Sequence, residues 1–394
     1  MLACRCHNLR PVIRTLPFVF LALRIGTATG AEPRQVRVQP AQFVGATGCK
    51  SSSCHGGAGE KRSQFITWTR RDIHTRGYAT LTNARSERIA AALDSPQRQE
   101  GVTTAATSAR CTVCHSPFQA VAPTQLAPTV DPTESISCES CHGPAGSWLR
   151  AHTRPDWTYA TRVGAGMRDL KSLYVRANTC VACHQNLDGD IAAAGHPPLV
   201  FELDSQSIAE PKHWRDPEDI GVRAWLTGQA VALRELSWHL STTATPHEDA
   251  LTQWRALAWL LGKVTAAERT LLPVDATENF SRTQQQADAL ARKAAQQSFG
   301  ADFAVRMTRT LAALDVEFGE TTDTSRELLF WRAQRLVLAL ERLSDFVHRT
   351  KPDAPRPVEL VELRQDLRWS DDFDAGRFAS RLGRYRLSLG GADR

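Results

Sequence analysis

The stretch at 107–119, TSARCTVCHSPFQ, sets Cys111 and Cys114 three residues apart and puts His115 directly behind them. The unit recurs. Cys138 and Cys141 precede His142 in CESCH, Cys180 and Cys183 precede His184 in CVACH, and Cys49 and Cys54 precede His55 in the wider CKSSSCH. Histidine is 12 of 394 residues, so four such neighbours by chance are on the order of one in a million. Cys-x-x-Cys-His is the attachment signature of c-type haem. Two thiols one helical turn apart can form thioethers with the two porphyrin vinyl groups, and the next residue turns its imidazole beneath the iron.

Two other uses of paired cysteines compete. A disulfide scaffold in an exported chain calls for no histidine after every pair. Zinc ribbons pair two Cys-x-x-Cys knuckles on one ion and do not require the trailing histidine. Both leave the histidines unexplained, so the expected cofactors are four covalently bound c-type haems with iron. They are held by Cys49, Cys54, Cys111, Cys114, Cys138, Cys141, Cys180 and Cys183, with His55, His115, His142 and His184 as proximal ligands. At the first site the loop must bulge, which Ser51, Ser52 and Ser53 are small enough to allow, and a local Cys49–Cys54 disulfide is the alternative there.

Each iron also needs a ligand on its other face if it is to stay low-spin. Methionine is scarce, with only Met167 and Met307 beyond Met1, so histidine is expected, and with it low reduction potentials. His74 shares a helical face with Tyr78 and Leu81. His152 follows the third motif, and His196 follows the fourth, between Gly195 and the rigid Pro197 and Pro198. His213, in PKHWRDP, reads equally as a ligand or as a surface residue near a helix start. His239, His247 and His348 fall in the later helical part and read as structural or solvated.

The segment from Val44 to Asn186 resembles the tetrahaem cytochrome c, or cytochrome c-554-like, family. The resemblance rests on the first site followed by Trp68, His74 and Leu81, on CESCHGP with His152 downstream, and on CVACHQN. It implies a mainly α, haem-packed module with haems in close pairs and a role in moving electrons. It further implies that His152 serves the first haem and His74 the fourth, and that the haem at His115 can keep an open position. The wider first spacing and the long C-terminal extension depart from the family pattern.

The N-terminus carries Arg5, Arg10 and Arg14, an apolar run from Leu16 to Leu23 and small residues to Ala31. This is the pattern of a signal peptide cleaved after Ala31. The run is far short of the ~20 residues of a spanning helix, which argues against a retained anchor. Residues 1–31 hold four arginines and no acid, so the net charge falls from +6 to +2 on cleavage, and no basic patch suggests nucleic acid. The expected organisation is a signal peptide at 1–31, an extended lead-in at 32–44, a tetrahaem domain at 45–215 with few strands, and a C-terminal antiparallel helical bundle at 216–394. The haem region has little aliphatic core of its own, so porphyrin is expected to supply most of its buried apolar surface.

In the C-terminal part, Asp216 and Pro217 read as the start of a helix whose stripe runs Val222, Leu226, Gln229, Leu233, Leu236 and Leu240. Leu251, Trp254, Ala258 and Leu261 form a second stripe that Gly262 would end, and Leu329 to Val347 a third. These are core seams rather than a catalytic constellation.

The leading expectation is an exported, periplasmic, soluble electron carrier. Its partners would be periplasmic redox proteins: an oxidoreductase donor and a cytochrome or quinone-linked acceptor. The alternatives are an oxidoreductase acting on nitrite, hydroxylamine or nitric oxide at a haem with an open distal site, and a gas-sensing haem protein.

Overall fold

The structure, a computed structural model, describes residues 41–93, 104–217, 220–243, 248–319, 324–350 and 357–390. The signal-peptide reading and most of the lead-in lie outside these residues, as does His247. The chain from Ala41 onward forms one compact unit.

Short helices carry the first half. They are α1 (Gln64–Arg71), α2 (Gly77–Leu81), α3 (Ala84–Leu93), α4 (Ala109–His115), α5 (Cys138–His142), α6 (Tyr159–Gly164), α7 (Leu173–His184), α8 (Gly189–Ala193) and α9 (Leu203–Ala209). Among the described residues the only bridge of β type joins Phe43 to Leu126. Buried apolar side chains are sparse up to residue 172. Leu81, Ala90 and Ala105 make one small cluster with Tyr78 and Cys111 beside it. That is too little core to hold such a length of chain by itself, as the composition of the region led us to expect.

The second half is built from α10 (Ile220–Thr242), α11 (Glu248–Ala267), α12 (Phe280–Gln296), α13 (Ala301–Ala312), α14 (Arg326–Thr350), α15 (Val358–Asp366) and α16 (Ala375–Gly390). Helix α10 lies at the centre, packed against α7, α9, α11, α12 and α14. Val222, Trp225, Leu226, Ala230, Val231 and Leu233 on it are all fully buried, the signature of a helix covered on every side. The large core does not stop at the anticipated 215/216 boundary. Leu173, Ala177 and Val181 of α7 belong to it, so the helix that ends in the CVACH motif is also a wall of the bundle.

Two helix limits differ from those read in the sequence. Gly262 does not end α11, which continues to Ala267. Burial of Val264 and Thr265 beyond it outweighs a glycine's helical cost of about 1 kcal/mol. Pro217 lies outside the helix described from Ile220, while the carboxylate of Asp216 is held by Arg176 and Lys212, each at 3.0 Å. No helix among the described residues is long and apolar enough to cross a membrane.

Arg335 of α14 is completely buried and donates to the carbonyl of Phe201 at 3.2 Å and to Oε1 of Gln229 at 3.1 Å. Gln229 in turn donates to the same carbonyl at 3.3 Å. Burial pulls the guanidinium down to about 10. Removing one partner of a buried charge is far costlier than replacing the whole group by apolar side chains. Gln229→Leu should therefore cost about 3 kcal/mol in urea denaturation of the holoprotein, while Gln229→Leu with Arg335→Met should recover most of that loss.

Candidate functional site: four imidazole pairs

Helices α4, α5 and α7 each finish on the histidine of a Cys-x-x-Cys-His motif. The helical turn sets both thiols on one side and leaves the imidazole at the C-terminus. The CKSSSCH segment is not helical. Cys54 and Gly56 donate backbone hydrogen bonds to Ser51, both at 2.9 Å, and His55 donates to Cys49 at 3.2 Å. Ser51, Ser52 and Ser53 thus loop into solvent and bring Cys54 and His55 back beside Cys49. The eight motif cysteines are free, half-buried thiols. Among the described residues no set of three or more cysteines converges as a zinc site would require. Cys49 and Cys54 are not joined, and no zinc-type set is assembled from the motif cysteines.

Each motif histidine faces one other histidine. The ring centroids are 6.1 Å apart for His55 and His152, 6.0 Å for His184 and His74, 6.5 Å for His115 and His196, and 6.3 Å for His142 and His213. Nitrogen ligands sit about 2 Å from a transition metal, and the ring centre about 1 Å further back, so two imidazoles on opposite faces of one metal have centroids roughly 6 Å apart. All four gaps match that span. Every distal candidate named from the sequence is used once, including His213. The face opposite His115, which the resemblance implied could stay open, is met by His196.

The Nδ1 partners fix the tautomer. His152 donates from Nδ1 to the Leu149 carbonyl at 2.6 Å, His196 to that of Pro197 at 2.8 Å, His213 to that of Pro211 at 3.5 Å, and His55 to Oε1 of Gln64 at 3.0 Å. His74 faces two carboxylates, Asp72 at 2.9 Å and Glu210 at 3.4 Å. With the proton on Nδ1, the Nε2 lone pair is free for a metal. Burial pushes His142 down to about 4 and holds His115 and His184 below the ordinary histidine value, which keeps these three neutral and competent to ligate. His74 is raised to about 10 by its bonds to Asp72 and Glu210, so it has to give up its Nε2 proton to become a ligand. Free thiols beside a motif histidine and an opposing imidazole at each pair together fit a covalently attached haem there.

The sites adjoin in a definite order. The thiol of Cys49 neighbours that of Cys138, and Cys114 neighbours Cys183, each pair close enough for one thiol to shift the other. Cys141 lies near enough to Cys180 for charge on one to disfavour charge on the other. The row therefore runs from the His55 site to those of His142, His184 and then His115.

One strap, residues 189–216, supplies His196 and His213. Gly195 has a φ of +102°, a left-handed turn that suits glycine, and Arg85 of α3 donates to its carbonyl at 2.7 Å. Further on, Arg335 and Gln229 hold Phe201, and Arg176 of α7 holds Asp216, three residues beyond His213. Gly77 is required for a different reason. A Cβ there would lie 2.7 Å from the His115 carbonyl and 2.5 Å from Cδ1 of Ile136, so α2 could not approach α4.

Glu139, inside CESCH, escaped the sequence reading as a functional residue. It is 1% exposed and accepts hydrogen bonds from the backbone of Val44 (3.0 Å), Gly45 (2.7 Å) and Ala145 (2.6 Å). It thereby ties the start of the first site to the third. The available signal was an acidic residue placed between two half-buried cysteines.

A family model described as cytochrome c554 and c-prime matches residues 29–143. The match spans the first three motifs and supports a cytochrome c-554-like family, with covalently bound c-type haem iron and electron transfer; the fourth motif, His152, His196 and His213 lie beyond it. No curated protein and no solved structure gives a significant match.

Two outcomes follow. Glu139→Ala strands three backbone donors and should lower holoprotein stability by about 3 kcal/mol in chemical denaturation. The paired rings of His55 and His152 are nearly parallel at 15°, whereas the other pairs cross at 86°, 67° and 63°. Ring angle sets the spread of the iron d orbitals, so electron paramagnetic resonance of the ferric protein should give one ordinary rhombic low-spin signal and three with a large maximal g value.

Proposed function

We propose that this protein is an exported, periplasmic tetrahaem c-type cytochrome. It carries electrons through four haems, each ligated by two histidines, between an oxidoreductase donor and a cytochrome or quinone-linked acceptor. The observation that carries the reading is the one-to-one pairing of the four motif histidines with His152, His74, His196 and His213 at ligation distance. The signal-peptide pattern of residues 1–31 supports the location.

A c-haem, when bound, supplies one-electron chemistry at its iron. The chain supplies the rest. The cysteines would hold each haem covalently, and the paired imidazoles would hold its iron and leave no place for exogenous ligands. Cys49 beside Cys138, Cys141 within electrostatic reach of Cys180 and Cys183 beside Cys114 make each site the neighbour of the next. Oxidation of a small nitrogen species would need a face free of protein ligand, and a distal imidazole stands over each of the four. This favours the carrier over the oxidoreductase.

The helical half is assigned a supporting role. Through Arg335 and Gln229 it grips the strap that presents His196, and α7 anchors the end that presents His213.

The pyridine haemochrome assay on purified protein should return four haems per chain, and cyanide should leave the spectrum unchanged. His196→Ala should convert one haem in four to a high-spin form that binds cyanide, with the other three untouched. Wild-type protein that binds cyanide would put the oxidoreductase reading ahead of the carrier.

A further inference from the structure

The four distal imidazoles are alike in position but not in what meets their Nδ1 atoms. His152, His196 and His213 meet neutral backbone carbonyls. His74 meets two carboxylates. Asp72 is 8% exposed and stands as the cap of the short turn Ile73–Arg76, its Oδ1 accepting both the His74 backbone N–H and Nδ1, each at 2.9 Å. Glu210 arrives from much later in the chain than Asp72. It terminates α9 in the strap, and its own N–H is bound to Gln206, which fixes the backbone from which the carboxylate reaches His74.

We propose that Asp72 and Glu210 are positioning residues for the His184–His74 site. By accepting from Nδ1 they hold the imidazole in place, make it a more basic ligand and set this site's reduction potential below the value that a neutral acceptor would allow. The inference rests on the haem reading above. A ligand whose second nitrogen is bound to a carboxylate is more basic. A more basic ligand favours the ferric over the ferrous form, and nearby negative charge in a low-dielectric interior acts in the same direction. The position matters because the site lies inside the row, between those of His142 and His115, so its potential divides the row into two parts. Glu210 also lies outside the matched segment, so a residue from the chain's own later part tunes a ligand held by the family segment.

The test is a spectroelectrochemical titration of the holoprotein and of Asp72→Asn and Glu210→Gln. Asparagine keeps an oxygen for the backbone cap and removes the charge. Asp72→Asn should raise one of the four potentials by about tenfold in the one-electron equilibrium, or about 59 mV. Glu210→Gln, at the longer distance, should raise the same one by less, and the other three should move least. Haem count and low-spin signals must remain at four in both variants, which keeps failure of the inference distinct from failure of the haem reading. Unchanged potentials with four low-spin haems would overturn it, as would equal shifts in all four. The same three side chains lie within the span of a divalent-cation site. Treatment of wild-type protein with EDTA should therefore leave the potentials unmoved, and a shift on chelation would overturn the proposal.

Discussion

Everything in this molecule answers to one requirement: two imidazoles must face each other across about 6 Å, and the motif that fixes one of them cannot reach round to supply the other. A Cys-x-x-Cys-His helix turns its histidine to one side of the site and then ends. The opposing ring must come from elsewhere in the chain, which has to return to each site with side-chain accuracy. His152 returns to His55, His74 is waiting when His184 arrives, and the strap at 189–216 returns to His115 and His142 in succession. The short helices, tight turns and near absence of β structure in the first half follow, because the path is dictated by ligand positions rather than by backbone ladders.

Such a path buries little of its own apolar surface, and this explains the long helical half. The small cluster around Leu81 cannot discipline the strap. The bundle core can, since α7 is common to both and the strap's backbone is tied to buried Arg335 and Gln229. Stability and ligation are thus coupled through a few contacts: Arg85 to Gly195, Arg335 to Phe201, Arg176 to Asp216 and Glu139 to the 44–45 backbone. The buried arginine is costly to desolvate, and it is tolerated where it fixes a carbonyl five residues after a ligand.

The proximal half of each site was legible because its chemistry is contiguous: thiols and imidazole lie within one turn. The distal residues were legible as candidates from their neighbours, Gly195 and the prolines around His196 being the clearest case. Partner assignment was a different matter. It depends on how separate segments are brought together, and spacing carries no such information; the assignments of His152 and His74 came from family resemblance alone. His213 looked as much like a surface residue as a ligand because the contacts of Arg176 with Trp214 and Asp216, which hold its segment, form only on folding. Glu210 and Glu139 were missed for the same reason, since a carboxylate at a helix end or inside a motif looks solvated until its partners are known. The amphipathic stripes revealed the bundle helices, yet Gly262 misled, because burial of the following turn overrides a glycine's local preference.

The central claim is that eight histidines close both faces of four irons. Near-infrared magnetic circular dichroism of the ferric holoprotein reads axial ligand type directly. The account expects a single class of charge-transfer band, that of two imidazoles, with an intensity equal to four haems per chain. A band of histidine–methionine type, or an intensity short of four accompanied by high-spin features, would contradict it.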